Sequence, residues 1–305
     1  MTHRSGFACF VGRPNAGKST LTNALVGTKV AIASDKPQTT RHIIRGIVTR
    51  EDAQLVIMDT PGVHRPRTLL GERLNQLVYD TWSEVDVIGV CLPCPEKIGP
   101  GDRYLIGQIA ALRNRPKLVG LATKSDAAPK AVIGEHLLQM AALEAELGIG
   151  FAEIVPVSAL TGENVDLLRD LLIAQLPEGP AYYPDGEATD EPTETLIAEL
   201  IREVALGEVR QELPHSITVT IEEMGLREGR PESSPLLDIY ANLVVERDSQ
   251  KPIILGRRAE RLKHIGTLAR QRISHLVGTP VHLDLKVKVI KEWQRDPKAL
   301  NRLGF

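Results

Sequence analysis

Short apolar runs, each followed by a polar segment, divide the first half of the chain. Four of these runs are residues 7–11, 55–58, 118–122 and 154–157. Apolar runs of this length bounded by turn residues are typical of strands that are buried on both faces of a parallel sheet. The pattern therefore predicts an α/β domain with a doubly wound, mostly parallel sheet, whose polar loops lie at the carboxyl ends of the strands.

The loop after the first run carries a phosphate-binding pattern. Residues 12–19 read Gly-Arg-Pro-Asn-Ala-Gly-Lys-Ser, and a helix is predicted to follow them. Glycines let backbone N–H groups turn inward around phosphate oxygens. In this pattern Lys18 reaches the β- and γ-phosphates and Ser19 binds Mg²⁺. The candidate nucleotide-binding residues of this loop are Gly12, Arg13, Pro14, Asn15, Ala16, Gly17, Lys18, Ser19 and Thr20.

The loop after the second run is predicted to complete the phosphate site. It reads Asp59-Thr60-Pro61-Gly62. An Asp at the end of a buried strand is placed to bind Mg²⁺ through water, and the Gly62 N–H is placed to sense a γ-phosphate. An ordinary turn would have the same composition, but it is disfavoured downstream of a phosphate loop.

Two further loops indicate which base is bound. Thr123, Lys124 and Asp126 follow the third run, and a carboxylate there can accept two hydrogen bonds from guanine, which adenine cannot offer. The Lys124 stem would pack along the base. Ser158, Ala159 and Leu160 follow the fourth run, and a backbone N–H there would donate to the guanine carbonyl.

The four loops together resemble those of translation-factor-type GTPases, and residues 38–42 resemble the switch I segment of the Era family of GTPases. The resemblance implies a slow GTP-hydrolysing switch that uses GTP, GDP and Mg²⁺. Thr40 is then the preferred ligand of Mg²⁺ and the γ-phosphate, with Thr39 as the alternative, and Lys18, Thr40 and Gly62 form the catalytic set. Thr123 stands where the family usually has Asn, which leaves its bridging role open.

Two departures bear on how hydrolysis would be catalysed. Val63 stands where Ras-type enzymes have a Gln that orients water. Era-like GTPases share this hydrophobic replacement. Related GTPases with Asn at position 15 hold K⁺ beside the β- and γ-phosphates. The resemblance therefore makes Asn15 a candidate K⁺ ligand, while the alternative is that Asn15 only stabilises the loop turn.

The last third of the chain resembles the type II KH-like RNA-binding module of Era proteins. Residues 256–259 read Gly-Arg-Arg-Ala, where KH modules have Gly-x-x-Gly. The methyl group of Ala259 is expected to restrict φ and to hinder close phosphate approach. The residues predicted to bind RNA are Gly256, Arg257, Arg258, Lys263 and Arg270.

Charge supports this division of the chain. The formal net charge is −2, yet residues 251–291 hold ten Lys or Arg against two Asp or Glu, and residues 178–212 hold ten Asp or Glu against two Arg. A basic segment of this kind favours RNA, although a solvated helix face has the same composition. We predict a GTPase domain over residues 1–180, a Pro- and acid-rich linker over 181–193, and a small α/β KH-like domain over 194–305.

The resemblance implies small-subunit (16S) ribosomal RNA and the 30S subunit as partners, with no stable oligomer, in the cytoplasm or peripherally on the inner face of the cell membrane. No apolar run is long enough to span a membrane. Two alternatives remain. A metabolic P-loop kinase is disfavoured by Asp126 and Ser158. A GTPase whose KH-like domain docks a protein or the membrane surface is kept open by Ala259.

Overall fold

The computed structural model describes residues 3–33, 39–209 and 216–305. Within these residues the chain forms two compact units. The first comprises residues 3–33, 40–65 and 73–190, and the second comprises residue 39, residues 66–72 and residues 191–209 and 216–305. Gln38, the first residue of the predicted switch I segment, lies outside the described residues.

Strands and helices alternate through the first 175 residues. In chain order they are β1 (Arg4–Val11), α1 (Lys18–Val26), β2 (Ile44–Thr49), β3 (Ala53–Asp59), α2 (Leu69–Glu84), β4 (Val87–Pro93), α3 (Pro100–Ala110), β5 (Lys117–Thr123), α4 (Lys130–Leu147), β6 (Phe151–Val157) and α5 (Val165–Gln175). The six strands form one sheet in the order β2-β3-β1-β4-β5-β6. All neighbours are parallel except β2, which pairs antiparallel with β3. The predicted mostly parallel sheet is confirmed.

Apolar cores lie on both faces of this sheet, as a doubly wound fold requires. One core contains Leu21 of α1 and Leu172 of α5. The other contains Trp82 of α2, Ile106 of α3 and Met140 of α4. Because both faces are covered, the strands read as continuous apolar runs, which is why the sequence revealed them.

Residues 182–190, which the sequence placed in the linker, are bonded to the first unit. Gln54 is fully buried; its carbonyl accepts from the Tyr182 and Tyr183 N–H groups at 2.7 and 2.9 Å, and its amide donates to the Tyr183 carbonyl at 2.9 Å. The Ile47 N–H donates to the Ala188 carbonyl at 2.8 Å. This segment is therefore held along β2 and β3.

The second unit is a three-stranded sheet with helices packed against it. Its elements are α6 (Thr193–Glu208), β7 (Thr218–Leu226), β8 (Leu237–Val245), α7 (Lys251–Leu255), α8 (Glu260–Val277), β9 (Val281–Val289) and α9 (Pro297–Arg302). β8 is central, antiparallel to β7 and parallel to β9. Ile201 of α6, Ile254 of α7 and Ile265 of α8 meet Ile239 of β8 in one core. The predicted small α/β domain is confirmed. No helix in the described parts of the chain is both long and apolar enough to cross a membrane.

The turn between α7 and α8 has an unusual backbone. Gly256 has φ 69° and ψ −175°, a region that only glycine occupies readily, and a Cβ there would lie 2.9 Å from the Arg261 Cβ. Arg258 and Ala259 follow with φ of 50° and 61°, both in the left-handed region. Ala259 thus reaches the conformation that its methyl group disfavours. The methyl group of Ala259 therefore adds an energetic cost to the loop that a glycine would not carry.

We predict that Ala259→Gly stabilises the second unit by about 1 kcal/mol, because glycine carries no penalty in the left-handed region. Urea unfolding followed by the fluorescence of Trp293, in a Trp82→Phe background, measures the change. Ala198→Gly in α6 is the matched control and should destabilise by about 1 kcal/mol, since that backbone is right-handed helix. A loss of similar size in both variants would contradict the strain assigned to Ala259.

Candidate nucleotide and RNA sites

The phosphate loop joins β1 directly to α1. Gly17 is the residue before the helix and has φ 92°, so the first N–H groups of α1 face the loop. Gly12 lies against β4, where a Cβ would be 2.7 Å from the Cys91 carbonyl oxygen. Glycine is therefore required at position 12 by close backbone approach and at position 17 by φ.

Lys18 is placed over this loop. Its side chain is buried, and Nζ donates to the carbonyls of Gly12 at 3.0 Å and Arg13 at 3.1 Å. Burial lowers the pKa of Lys18, and the nearby Asp59 opposes that shift. A Cβ built on Gly62 would lie 3.6 Å from Lys18 Nζ. Lys18 and Gly62, two of the predicted catalytic residues, therefore lie next to each other.

Two hydroxyls and a carboxylate meet beside the lysine. Ser19 Oγ donates to Asp59 Oδ2 at 2.7 Å, Thr40 Oγ1 donates to the same oxygen at 3.1 Å, and the two hydroxyl oxygens are 3.1 Å apart. Asp59 is fully buried. Of the two threonines that the sequence left open, Thr40 is the one that contacts Ser19 and Asp59.

This donor set fits Mg²⁺. Hydroxyl and carboxylate oxygens are the ligands that the ion prefers, and it normally completes its shell with water and substrate phosphates. Among the described residues no group of three or more His, Cys, Asp or Glu is arranged to hold a metal ion. A Mg²⁺ ion at Ser19, Thr40 and Asp59 would complete its shell with water and with the phosphates of a nucleotide.

The Arg13 side chain points away from the lysine. Its Nε donates to Asp102 Oδ1 at 2.8 Å, and its guanidinium pairs with Glu96 at 3.2 Å. Asp102 is buried, and its second oxygen accepts from the Gly99 N–H at the start of α3 at 2.8 Å. In this arrangement Arg13 anchors the phosphate loop to α3, and its contribution to nucleotide binding would come from its backbone.

Thr123 bridges the base loop and the phosphate loop. Its hydroxyl donates to the Ala16 carbonyl at 2.8 Å, and both groups are buried. The sequence left open whether Thr could replace Asn in this role. The structure shows that the hydroxyl alone makes the connection.

Asp126 and Ser158 meet across the loops that follow β5 and β6. Ser158 Oγ donates to Asp126 Oδ1 at 2.5 Å. The Ser158 N–H is committed to the Glu163 carbonyl at 3.1 Å, and Leu160 is 81% exposed. Of this loop, the backbone N–H groups of Ala159 and Leu160 thus remain as the candidates for the guanine carbonyl.

Glu163 was missed by sequence reasoning. Its carboxylate accepts from the buried Ser125 hydroxyl at 2.8 Å, one residue before Asp126. Burial first, and then the neighbouring Asp126 and Glu163 carboxylates, raise the pKa of the Cys94 thiol to about 11. No spacing rule connects Glu163 to Ser125 in the chain, so only the fold could reveal the contact.

The predicted RNA-binding residues form one exposed surface of the second unit. Arg257 and Arg258 are exposed in the turn after Gly256. Lys263 and Arg270 are exposed on α8, seven residues apart and so on one face, while Ile265 and Ala269 face the core. These four side chains each place a positive charge in solvent.

Comparison with known proteins gives matches over both units of the chain. The family model for a 50S ribosome-binding GTPase matches residues 7–124, and the model for a KH domain matches residues 212–294. GTPase Era of Nocardioides sp. JS614 is 63% identical over 303 residues, covering 99% of this chain and 96% of that protein. GTPase Era of Streptomyces coelicolor is also 63% identical over 303 residues, with 99% and 95% covered.

Solved structures lead to the same family. A substituted Era of Aquifex aeolicus bound to GDP·AlF4⁻ superposes with a TM-score of 0.92 at 35% identity, covering 99% of both chains. An Era in complex with MgGDPNP and nucleotides 1506–1542 of 16S ribosomal RNA gives the same TM-score, identity and coverage. With its four nucleotide loops and its KH unit, this chain belongs to the Era family of GTPases.

Proposed function

We propose that this protein is a GTP-hydrolysing switch whose KH domain binds small-subunit ribosomal RNA and assists maturation of the 30S subunit. One observation carries the nucleotide half of the proposal: Lys18, Ser19, Thr40, Asp59 and Gly62 meet at one edge of the sheet. A bound Mg²⁺ would stabilise negative charge that develops on the phosphates. The GTPase domain is taken as residues 1–180 and the RNA-binding domain as residues 194–305.

Each residue of the phosphate site has a proposed task. Lys18 exchanges its loop carbonyls for β- and γ-phosphate oxygens, and the Gly62 N–H donates to the γ-phosphate. Ser19 and Thr40 contribute hydroxyl ligands to the metal, and Asp59 acts on it through water. The hydrogen bonds among Ser19, Thr40 and Asp59 already hold their oxygens within 3.1 Å of one another, so these three residues need little rearrangement.

Hydrolysis is proposed to be slow because Val63 stands where Ras-type enzymes have the Gln that orients water. Val63 is apolar and packs against the core below α2 and α3. The charge that develops in the transition state must then be stabilised by the phosphate loop and by bound cations.

The RNA half of the proposal rests on the exposed cations of the turn and of α8. KH modules clamp the nucleic-acid backbone at this turn, and the Era whose structure holds 16S ribosomal RNA has the same overall fold. The Ala259 methyl group hinders the closest approach, so charge carries a larger share of affinity here. We infer a monomeric protein of the cytoplasm; membrane docking by the KH domain is the competing proposal.

Asp126→Asn should shift preference from guanine toward xanthine nucleotides. The amide replaces one acceptor by a donor, which suits the xanthine carbonyl and clashes with the guanine amine. Equilibrium titration of the wild-type protein and of Asp126→Asn with GDP and xanthosine diphosphate measures the change. Asp166→Asn, on the exposed start of α5, is the control. Wild-type affinity for GDP in Asp126→Asn would show that the base-recognition assignment is wrong.

Potassium should accelerate GTP hydrolysis. Asn15 has φ 64° in the phosphate loop, where its amide oxygen can help hold a monovalent cation near the phosphates. Turnover is compared in matched K⁺ and Na⁺ buffers. Asn15→Gly keeps the left-handed backbone and should lose the stimulation. Equal turnover of the wild-type protein in both buffers would remove the proposal.

Arg257→Ala with Arg258→Ala should strongly weaken RNA binding while GTP hydrolysis without RNA stays near the wild-type rate. The two charges contact phosphates, so wild-type binding should also fall steeply with salt. Filter binding with an RNA of the small-subunit 3′ end measures affinity at moderate salt. Lys298→Ala with Arg302→Ala removes the same charge from α9 and serves as the control. Undiminished affinity in the first pair would favour the protein- or membrane-docking alternative.

A further inference from the structure

The two loops that are proposed to recognise the base are joined by one residue that none of the four motifs contains. Glu163 lies in the turn before α5. Its carboxylate accepts from Ser125 Oγ at 2.8 Å, and its backbone carbonyl accepts from the Ser158 N–H at 3.1 Å. Ser125 follows β5 and Ser158 follows β6. Glu163 therefore holds both loops at once.

These contacts close a ring around Asp126. Ser125 precedes Asp126 in the chain, and Ser158 Oγ donates to the Asp126 carboxylate at 2.5 Å. Ser158 Oγ also accepts from the Thr161 N–H at 3.1 Å. The carboxylate is thus held through its own oxygen by Ser158 and through its backbone by Ser125. Both supports lead to Glu163.

The Ser125 hydroxyl needs this partner. Ser125 is only 3% exposed, and a buried hydroxyl without a hydrogen bond is costly. Asp126 itself is exposed, so packing does not hold it in place. Two hydrogen bonds to guanine require the carboxylate in one orientation, and a loop that moves by a fraction of an ångström weakens both.

We propose that Glu163 is a positioning residue for guanine recognition, which holds Asp126 in place through Ser125. The proposal rests on the assignment of Asp126 to guanine and deepens it. Discrimination against a base that lacks the exocyclic amine, such as hypoxanthine, then depends on a side chain that does not touch the nucleotide.

The test compares GDP with inosine diphosphate, which lacks that amine. Equilibrium titration of the full chain with each nucleotide in Mg²⁺ buffer gives two affinities and their ratio. Glu163→Ala should lower GDP affinity by roughly 3- to 10-fold, the loss expected for one hydrogen bond, and should reduce the ratio of GDP to inosine diphosphate affinity. Glu163→Gln should stay close to wild type, because its amide oxygen can still accept from Ser125.

Three further variants separate positioning from general support. Ser125→Ala should reproduce the effect of Glu163→Ala, and the double variant should lose no more than either single one, since both remove the same bond. Glu153→Ala removes an exposed carboxylate from β6 and should change neither affinity.

Several results would overturn the proposal. A wild-type ratio of GDP to inosine diphosphate affinity in Glu163→Ala would do so, whether both affinities are unchanged or equally weakened. Equal weakening would indicate support of the loop without base discrimination. A Glu163→Gln variant as impaired as Glu163→Ala would show that charge and not the hydrogen bond matters. The Asp126→Asn titration fails or succeeds independently, so the two assignments are distinguishable.

Discussion

The parallel pairing of the neighbouring strands β3, β1, β4, β5 and β6 determines where the nucleotide loops lie. Because the carboxyl ends of parallel strands share one edge, the loops after β1, β3, β5 and β6 emerge together although they are separated by up to about 140 residues of chain. The hydrogen bond from Thr123 to the Ala16 carbonyl then ties the base loop to the phosphate loop. The remaining contacts of the site refine this arrangement.

The phosphate site contains two buried charged residues, which is energetically unfavourable. Lys18 and Asp59 both lie out of water, where isolated charges are strongly disfavoured. They persist because loop carbonyls accept from the ammonium and two hydroxyls donate to the carboxylate. The same groups are those that a Mg²⁺–nucleotide would engage. The KH unit has an unfavourable backbone conformation of its own, because Ala259 lies in the left-handed region.

The motifs and the strands that precede them could be predicted from sequence, since apolar runs and short spacings are local signals. The bridge from Thr123 was left open, because a threonine hydroxyl is shorter than an asparagine amide and only the distance to Ala16 decides. Glu163 and Asp102 could not be predicted. Both act on residues that adjoin them only in the fold, 38 and 89 positions away. The contacts of residues 182–190 with Gln54 were hidden for the same reason, because composition marked that segment as a spacer.

We propose that Thr40, with Ser19 and Asp59, forms a metal site that distinguishes GTP from GDP. The most direct measurement is the affinity of Thr40→Ala for a non-hydrolysable GTP analogue and for GDP, each titrated with Mg²⁺ present. Thr40→Ala should lose about 10-fold or more in affinity for the GTP analogue and should keep a GDP affinity near wild type. The reason is that the Thr40 hydroxyl is proposed to bind the metal beside the γ-phosphate, which GDP lacks. Thr39→Ala, the neighbouring control, should change neither affinity. A loss of affinity in Thr39→Ala instead, or an equal loss for both nucleotides in Thr40→Ala, would show that this assignment of Thr40 is wrong.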